Sequence, residues 1–211
     1  MLKEQFFATL QNYLPSAAID YCYHLWQQHA FLLKISKARA SKLGDYRYHP
    51  RDKKHTITVN HNLNQYNFLL TYIHEVAHLV AFKNHSRNIA PHGREWKQTF
   101  QQLMLPVLHK DVFPPQLLAV LRNHMQNPKA SSCSDNHLTL IMRQYNPPSD
   151  ATLLADLHFG QQFIFKERMF EKKSLKRTRV VCREIKSNRN YLISKFAEVR
   201  TLSEEKNIKT I

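Results

Sequence analysis

Apolar residues near the start of the chain recur at helical spacing. Leu2, Phe6, Phe7, Leu10 and Leu14 share one face, and Tyr21, Leu25, Trp26, Leu32 and Leu33 continue the pattern. The spacing predicts helix over residues 3–33, as two helices broken near Pro15. From Ala38 the pattern changes. Tyr46, Tyr48 and the run Thr56-Ile57-Thr58-Val59 are β-formers on either side of a turn at Pro50-Arg51-Asp52-Lys53, which predicts a β-hairpin pairing residues 43–49 with 55–61. Helical periodicity then returns over residues 65–82, where Phe68, Leu69, Tyr72, Ile73, Val76, Ala77 and Val80 cover so wide a face that the helix should be central and buried.

A second helix is expected over residues 93–105, with Trp96, Phe100 and Leu103 on one side and Pro106 as its stop. A third is expected over residues 116–125. Residues 127–136, NPKASSCSDN, read as a turn-rich linker, and residues 137–145 as a short helix. Beyond Phe159 only short β-like runs appear, at residues 162–165, 179–182 and 191–194. The expected organisation is therefore α+β. It comprises a domain over residues 1–126, a linker with a short helix over 127–158, a small basic β-rich module over 159–200 and a flexible tail over 201–211.

Charge adds a partner to this picture. The 211 residues hold 31 Lys+Arg against 16 Asp+Glu, a formal net charge of +15. Two segments carry nearly all of the excess. Residues 34–54 hold eight Lys/Arg against two Asp, and residues 161–200 hold twelve Lys/Arg against four Glu. Cations segregated in this way form patches suited to a polyanion. Lys34, Lys37, Arg39 and Lys42 make one cluster; Lys172, Lys173, Lys176, Arg177 and Arg179 make the other, near Phe165 and Phe170. Both would grip phosphates without reading sequence. Phe165, Phe170 or Tyr191 would stack on unpaired bases only if they are not part of a core, which is the commoner place for a strand aromatic.

Several classes drop out. With three glycines and neither GxGxxG nor GxxxxGK[ST], the chain offers no nucleotide-cofactor loop. No run of eighteen apolar residues predicts a membrane span. The N-terminus, interrupted by Glu4, does not read as a secretory signal. Cys22, Cys133 and Cys182 are odd in number and widely spaced, so a disulfide framework is not expected and a reducing cytoplasm is the simplest home.

The chemistry lies in His74-Glu75-Val76-Ala77-His78, an HExxH inside the most strongly helical segment. The i, i+4 spacing stacks both imidazoles on one face, where they can share a zinc ion, and Glu75 is placed to take a proton from a water activated there. Thirteen His and nine Glu in random order would produce roughly 0.03 such motifs per chain, so chance is a poor explanation. A catalytic zinc needs a third protein ligand. Metzincin spacing would place it at residue 84, which is Asn, and its glycine at residue 81, which is Ala. His92 is the best-placed third ligand, at the start of the second helix with Gly93 permitting a close backbone approach; His85 and Glu95 are the alternatives.

HEVAHLVAF followed by HGREW resembles the SprT family of zinc metalloproteases, which includes Spartan, over residues 38–108. The resemblance implies a zincin-like catalytic domain with one Zn²⁺ per chain, His74, His78 and His92 as its ligands and Glu75 as catalytic base. The family's eukaryotic members cleave proteins crosslinked to DNA, and its bacterial members are linked with transcription or DNA metabolism. DNA and a protein substrate are accordingly the expected partners. Family members often carry a C-terminal zinc ribbon. Here Cys133 and Cys182 lack CxxC partners, and His137 and His158 do not supply that spacing, so a metal-free β-rich module is expected in its place. A nucleic-acid-binding regulator with a structural or vestigial zinc site is the rival reading.

Overall fold

A computed structural model describes residues 3–39, 42–85, 89–130, 135–148, 152–177 and 179–202. Cys133, part of the expected linker and the tail from residue 203 lie outside the described residues. The chain divides into two units, Met1–Pro147 and Pro148–Ile211.

The first unit begins with α1 (Lys3–Leu10) and α2 (Ile19–His29), separated by the expected break after Leu14. Helix α2 ends at Ala30, which adopts a left-handed conformation (φ 48°) and returns its N–H to the Trp26 carbonyl. The chain then turns directly into β1 (Leu32–Ser36), so Leu32 and Leu33 belong to a strand, not to the predicted helix. The hairpin forms as expected from β2 (Gly44–His49) and β3 (Lys54–Asn60). Strand β3 sits between β1, parallel to it, and β2, antiparallel to it, leaving β2 on an edge. Ile57 and Val59 of β3 are wholly buried and face the core.

Helix α3 (Gln65–His85) crosses this core and buries residues on every side, including Phe68, Leu69, Tyr72, Ile73, Val76 and Leu79. Its start is fixed by Asn64, whose Oδ1 accepts the N–H groups of Tyr66 and Asn67 at 3.1 and 2.9 Å. The same side chain donates from Nδ2 to the Met142 carbonyl at 2.9 Å. Met142 lies on α6 (Asn136–Arg143), which follows α4 (Arg94–Met104) and α5 (Pro115–Gln126). Leu138 and Met142 of α6 belong to the first core. The unit boundary therefore falls after α6, about twenty residues beyond residue 126, where the sequence places the end of the first domain.

The second unit is a six-stranded sheet in the order β4-β9-β5-β6-β7-β8, antiparallel throughout. Its strands are β4 (Thr152–Leu153), β5 (Gln162–Phe165), β6 (Arg168–Lys176), β7 (Arg179–Glu184), β8 (Asn190–Ser194) and β9 (Glu198–Thr201). Leu154, Leu157, Phe163, Phe170, Val180, Cys182, Ile193 and Val199 form its own small core. Phe170 is buried in that core and Phe165 and Tyr191 pack against it, so these three aromatics take the structural place that is the commoner one for strand aromatics. Among the described residues no helix is long and apolar enough to cross a membrane.

Candidate metal centre and active site

The two histidines of α3 stack as their spacing requires, with Nε2 atoms 3.2 Å apart. His92 reaches them from outside the helix. Its Nε2 lies 3.0 Å from that of His78 and 3.2 Å from that of His74. The backbone explains how. Gly93 N–H bonds to the Ala90 carbonyl at 2.9 Å, closing a four-residue turn with Pro91 second and His92 third. His92 has φ 60°, the left-handed value that the third position of a type II turn demands and that usually falls to glycine. A non-glycine residue held there costs of order 1 kcal/mol or more, and such strain collects at functional sites. Arg94 then opens α4, with Gly93 as its N-cap.

One side chain of α4 supports all three imidazoles. The Trp96 ring is buried, with its centroid 4.6 Å from that of His74, 4.7 Å from that of His92 and 5.3 Å from that of His78. Phe100 stacks on the indole at 5.0 Å and also meets the His74 ring edge-on at 5.5 Å. Burial pushes the imidazoles of His74, His78 and His92 below their ordinary pKa, and mutual repulsion adds to this for the first two. They are therefore neutral, the form that binds a metal.

The donor set tests well against zinc. Three neutral nitrogens at near-equal separations can all lie about 2 Å from one ion, the usual Zn–N distance. Among the described residues these three are the His/Cys/Asp/Glu cluster close enough to share a metal. His85 is exposed at the end of α3, and Glu95 on the first turn of α4 also stays outside the cluster.

Glu75 is 6% exposed and lies against the edge strand β2. Its carboxyl is pushed up to about 8, first by burial and then by the charge of Asp45; the Tyr46 backbone N–H, Arg39 and Lys42 act in the opposite sense. Asp45 itself pairs with Arg39, with Lys42 at 3.3 Å and with Arg47 at 3.2 Å. A cavity of about 380 Å³ is lined by His74, Glu75, His78 and His92 together with Tyr46 and His124.

The sequence singled out neither His124 nor Gly44. His124 left one signal. It lies on the buried stripe of α5 with Leu117 and Leu121, where a polar residue needs a partner.

The predicted nucleic-acid contacts fare unevenly. Lys34, Lys37, Lys42, Lys173, Lys176, Arg177 and Arg179 are exposed. Arg39 is half-buried and bonds through Nε to Asn60 Oδ1 at 2.8 Å as well as to Asp45. Lys172 must be removed from the set. It is 5% exposed, and its ammonium is turned to the segment after β4, donating to the carbonyls of Ala155 and Leu157 at 2.9 and 2.6 Å.

The family comparison agrees with the site. Residues 5–114 match the SprT-like family, a span that includes the hairpin, α3, the His92 turn and α4. No significant match is found to a curated protein or to a solved structure.

Proposed function

This chain belongs to the SprT-like family, and on that premise we propose that it is a zinc-dependent metallopeptidase acting on proteins held close to DNA. The observation that carries the hydrolase reading is the convergence of three Nε2 atoms within 3.2 Å of one another, in a cavity that a buried carboxylate also lines. His74, His78 and His92 would hold the ion. When bound, zinc supplies a Lewis acid for the substrate carbonyl and a positive charge that favours the ionised form of Glu75. Glu75 then accepts a proton from the attacking water and passes it to the departing amine. The Tyr46 N–H keeps the carboxylate aimed, and Trp96 keeps the three imidazoles in register.

The DNA part of the reading is supported by the exposed cations Lys34, Lys37, Lys173, Lys176, Arg177 and Arg179. Metal content and cleavage of an unfolded protein, with and without DNA, test the whole. The expected result is one zinc per chain, lost in His92→Ala, and cleavage abolished in Glu75→Gln with zinc retained. Full activity in a zinc-loaded Glu75→Gln variant sinks the peptidase reading in favour of a structural metal site.

A further inference from the structure

His124 has no part in holding the metal, yet it is built like a working group. It lies on α5, is 4% exposed, and its ring lines the same cavity as Glu75 and the three clustered histidines. Its Nδ1 is 2.9 Å from Asp135 Oδ2. Asp135 is itself fixed, because its Oδ1 accepts the Leu138 N–H at 3.2 Å and caps α6. The carboxylate therefore holds the proton on Nδ1 and sets the plane of the ring. The other nitrogen, Nε2, has no hydrogen-bond partner among the described residues. A histidine needed only to tie α5 to α6 would be satisfied by a site away from the cavity. Here a carboxylate-oriented imidazole keeps one nitrogen without a partner among the described residues, on a side chain that lines the cavity of the clustered histidines.

We propose that His124 is a second catalytic residue of the peptidase chemistry, donating a hydrogen bond from Nε2 to the oxygen that gains negative charge as the scissile carbonyl becomes tetrahedral. Asp135 is its positioning residue. This rests on the peptidase reading above. The division of labour is physically sensible. Glu75 takes a proton and cannot at the same moment offer one to the oxyanion, whereas a ring that carries a proton on Nε2, with Asp135 accepting from Nδ1, can.

Two substitutions separate catalysis from support. In His124→Asn the side-chain amide nitrogen occupies the place of Nδ1, so the Asp135 bond survives and only Nε2 is removed. Asp135→Asn keeps a residue that caps helices well but removes the negative charge. With zinc-loaded protein, His124→Asn is expected to keep the wild-type melting temperature and zinc content while kcat falls on the order of a hundredfold with KM little changed. Its affinity for a phosphinate peptide, a tetrahedral mimic, should fall by a similar factor while affinity for an uncleaved peptide product holds. Asp135→Asn should likewise lower kcat and leave KM in place. Wild-type kcat and phosphinate affinity in a folded His124→Asn variant overturn the proposal. Should that variant not fold, the wild-type protein crystallised with the phosphinate decides: Nε2 within about 3.2 Å of a phosphinyl oxygen supports it, and Nε2 out of hydrogen-bond reach overturns it. A wild-type protein that neither cleaves nor binds the phosphinate refutes the peptidase reading itself, and this inference falls with it.

Discussion

Gly44 and Glu75 approach so closely that no side chain fits at residue 44. A Cβ there would lie 2.9 Å from both Cγ and Oε1 of Glu75, and 2.7 Å from Cγ2 of Thr71. The glycine is thus a spacing device that lets the edge strand β2 lie against α3 and present the Tyr46 N–H to the carboxylate. Gly44→Ala should move either the strand or Glu75 by a fraction of an ångström to an ångström. The three imidazoles are not touched by the new methyl group. Zinc content is therefore expected to stay at the wild-type level, while kcat/KM falls by about a hundredfold, the scale of a 1 Å displacement of a catalytic group. Titrating metal and activity on one preparation checks this, and loss of zinc together with activity would contradict it.

Trp96 makes the opposite prediction, because it touches the imidazoles and not the carboxylate. Its centroid lies within 5.3 Å of all three rings, and its Nε1 donates to the His74 carbonyl at 3.4 Å. Removing the buried indole in Trp96→Ala should destabilise the first unit by about 3–5 kcal/mol, as read by denaturant unfolding of the metal-free protein. Trp96→Phe keeps an aromatic plane but loses area and the hydrogen bond. It should fold, and bind zinc about tenfold more weakly, the range seen for residues that orient metal ligands. Competition against a chelator measures that change.

The contrast between the two units shows which signals a sequence carries. In the first, the helices and the hairpin could be read because periodicity and burial agree. Phe68, Leu69, Tyr72, Ile73, Val76 and Ala77 of α3, apolar positions of the sequence pattern, are all buried, and the HExxH spacing itself places two rings on one face. The failures have local causes. Strand β1 was hidden because Leu32 and Leu33 extend the helical pattern of α2, and the stop signal, a left-handed residue, is Ala30 instead of a glycine. In the second unit β6 was hidden because charge overlies its alternation. Phe170 faces inward, but the next inward position is Lys172, and a register shift between Lys172 and Ser174 breaks the period. In the site, His92 was legible from its motif. The pairing of His124 with Asp135, eleven residues apart in the chain, was not.

Lys172 and its neighbours should therefore separate in experiment. Lys172 donates two hydrogen bonds to the turn after β4 and lies over the Phe159 ring at 5.3 Å. Lys172→Ala should leave the Ala155 and Leu157 carbonyls short of a donor and lower the stability of the β-sheet unit by about 1–3 kcal/mol. Lys176→Ala and Arg177→Ala should leave stability within about 0.5 kcal/mol. If the module contacts phosphates, each of the two should weaken DNA binding across all sequences and reduce the slope of log K against log salt by about 1. Fluorescence anisotropy with a short duplex at several salt concentrations reads the slope. A slope unchanged in both variants would place DNA elsewhere or nowhere on this unit.

The same unit should respond to acid through Glu184. Hydrogen bonds from Arg168 and Ser187 hold its carboxyl down to about 2, well below the ordinary carboxylate range. Arg168 is in turn seated over the Phe170 and Tyr191 rings, at 5.2 and 4.6 Å, so the pair links the ends of β6, β7 and β8. A carboxyl with a depressed folded-state pKa binds fewer protons folded than unfolded. Its contribution is fully present above the unfolded value, about 4.5, and is lost as pH falls towards about 2. Glu184→Gln removes the titrating group. The variant should be less stable than wild type at pH 7, and the difference should shrink as pH is lowered from about 4.5 towards 2, as followed by thermal unfolding across that range. A stability gap that stays constant with pH would show that Glu184 acts by packing alone.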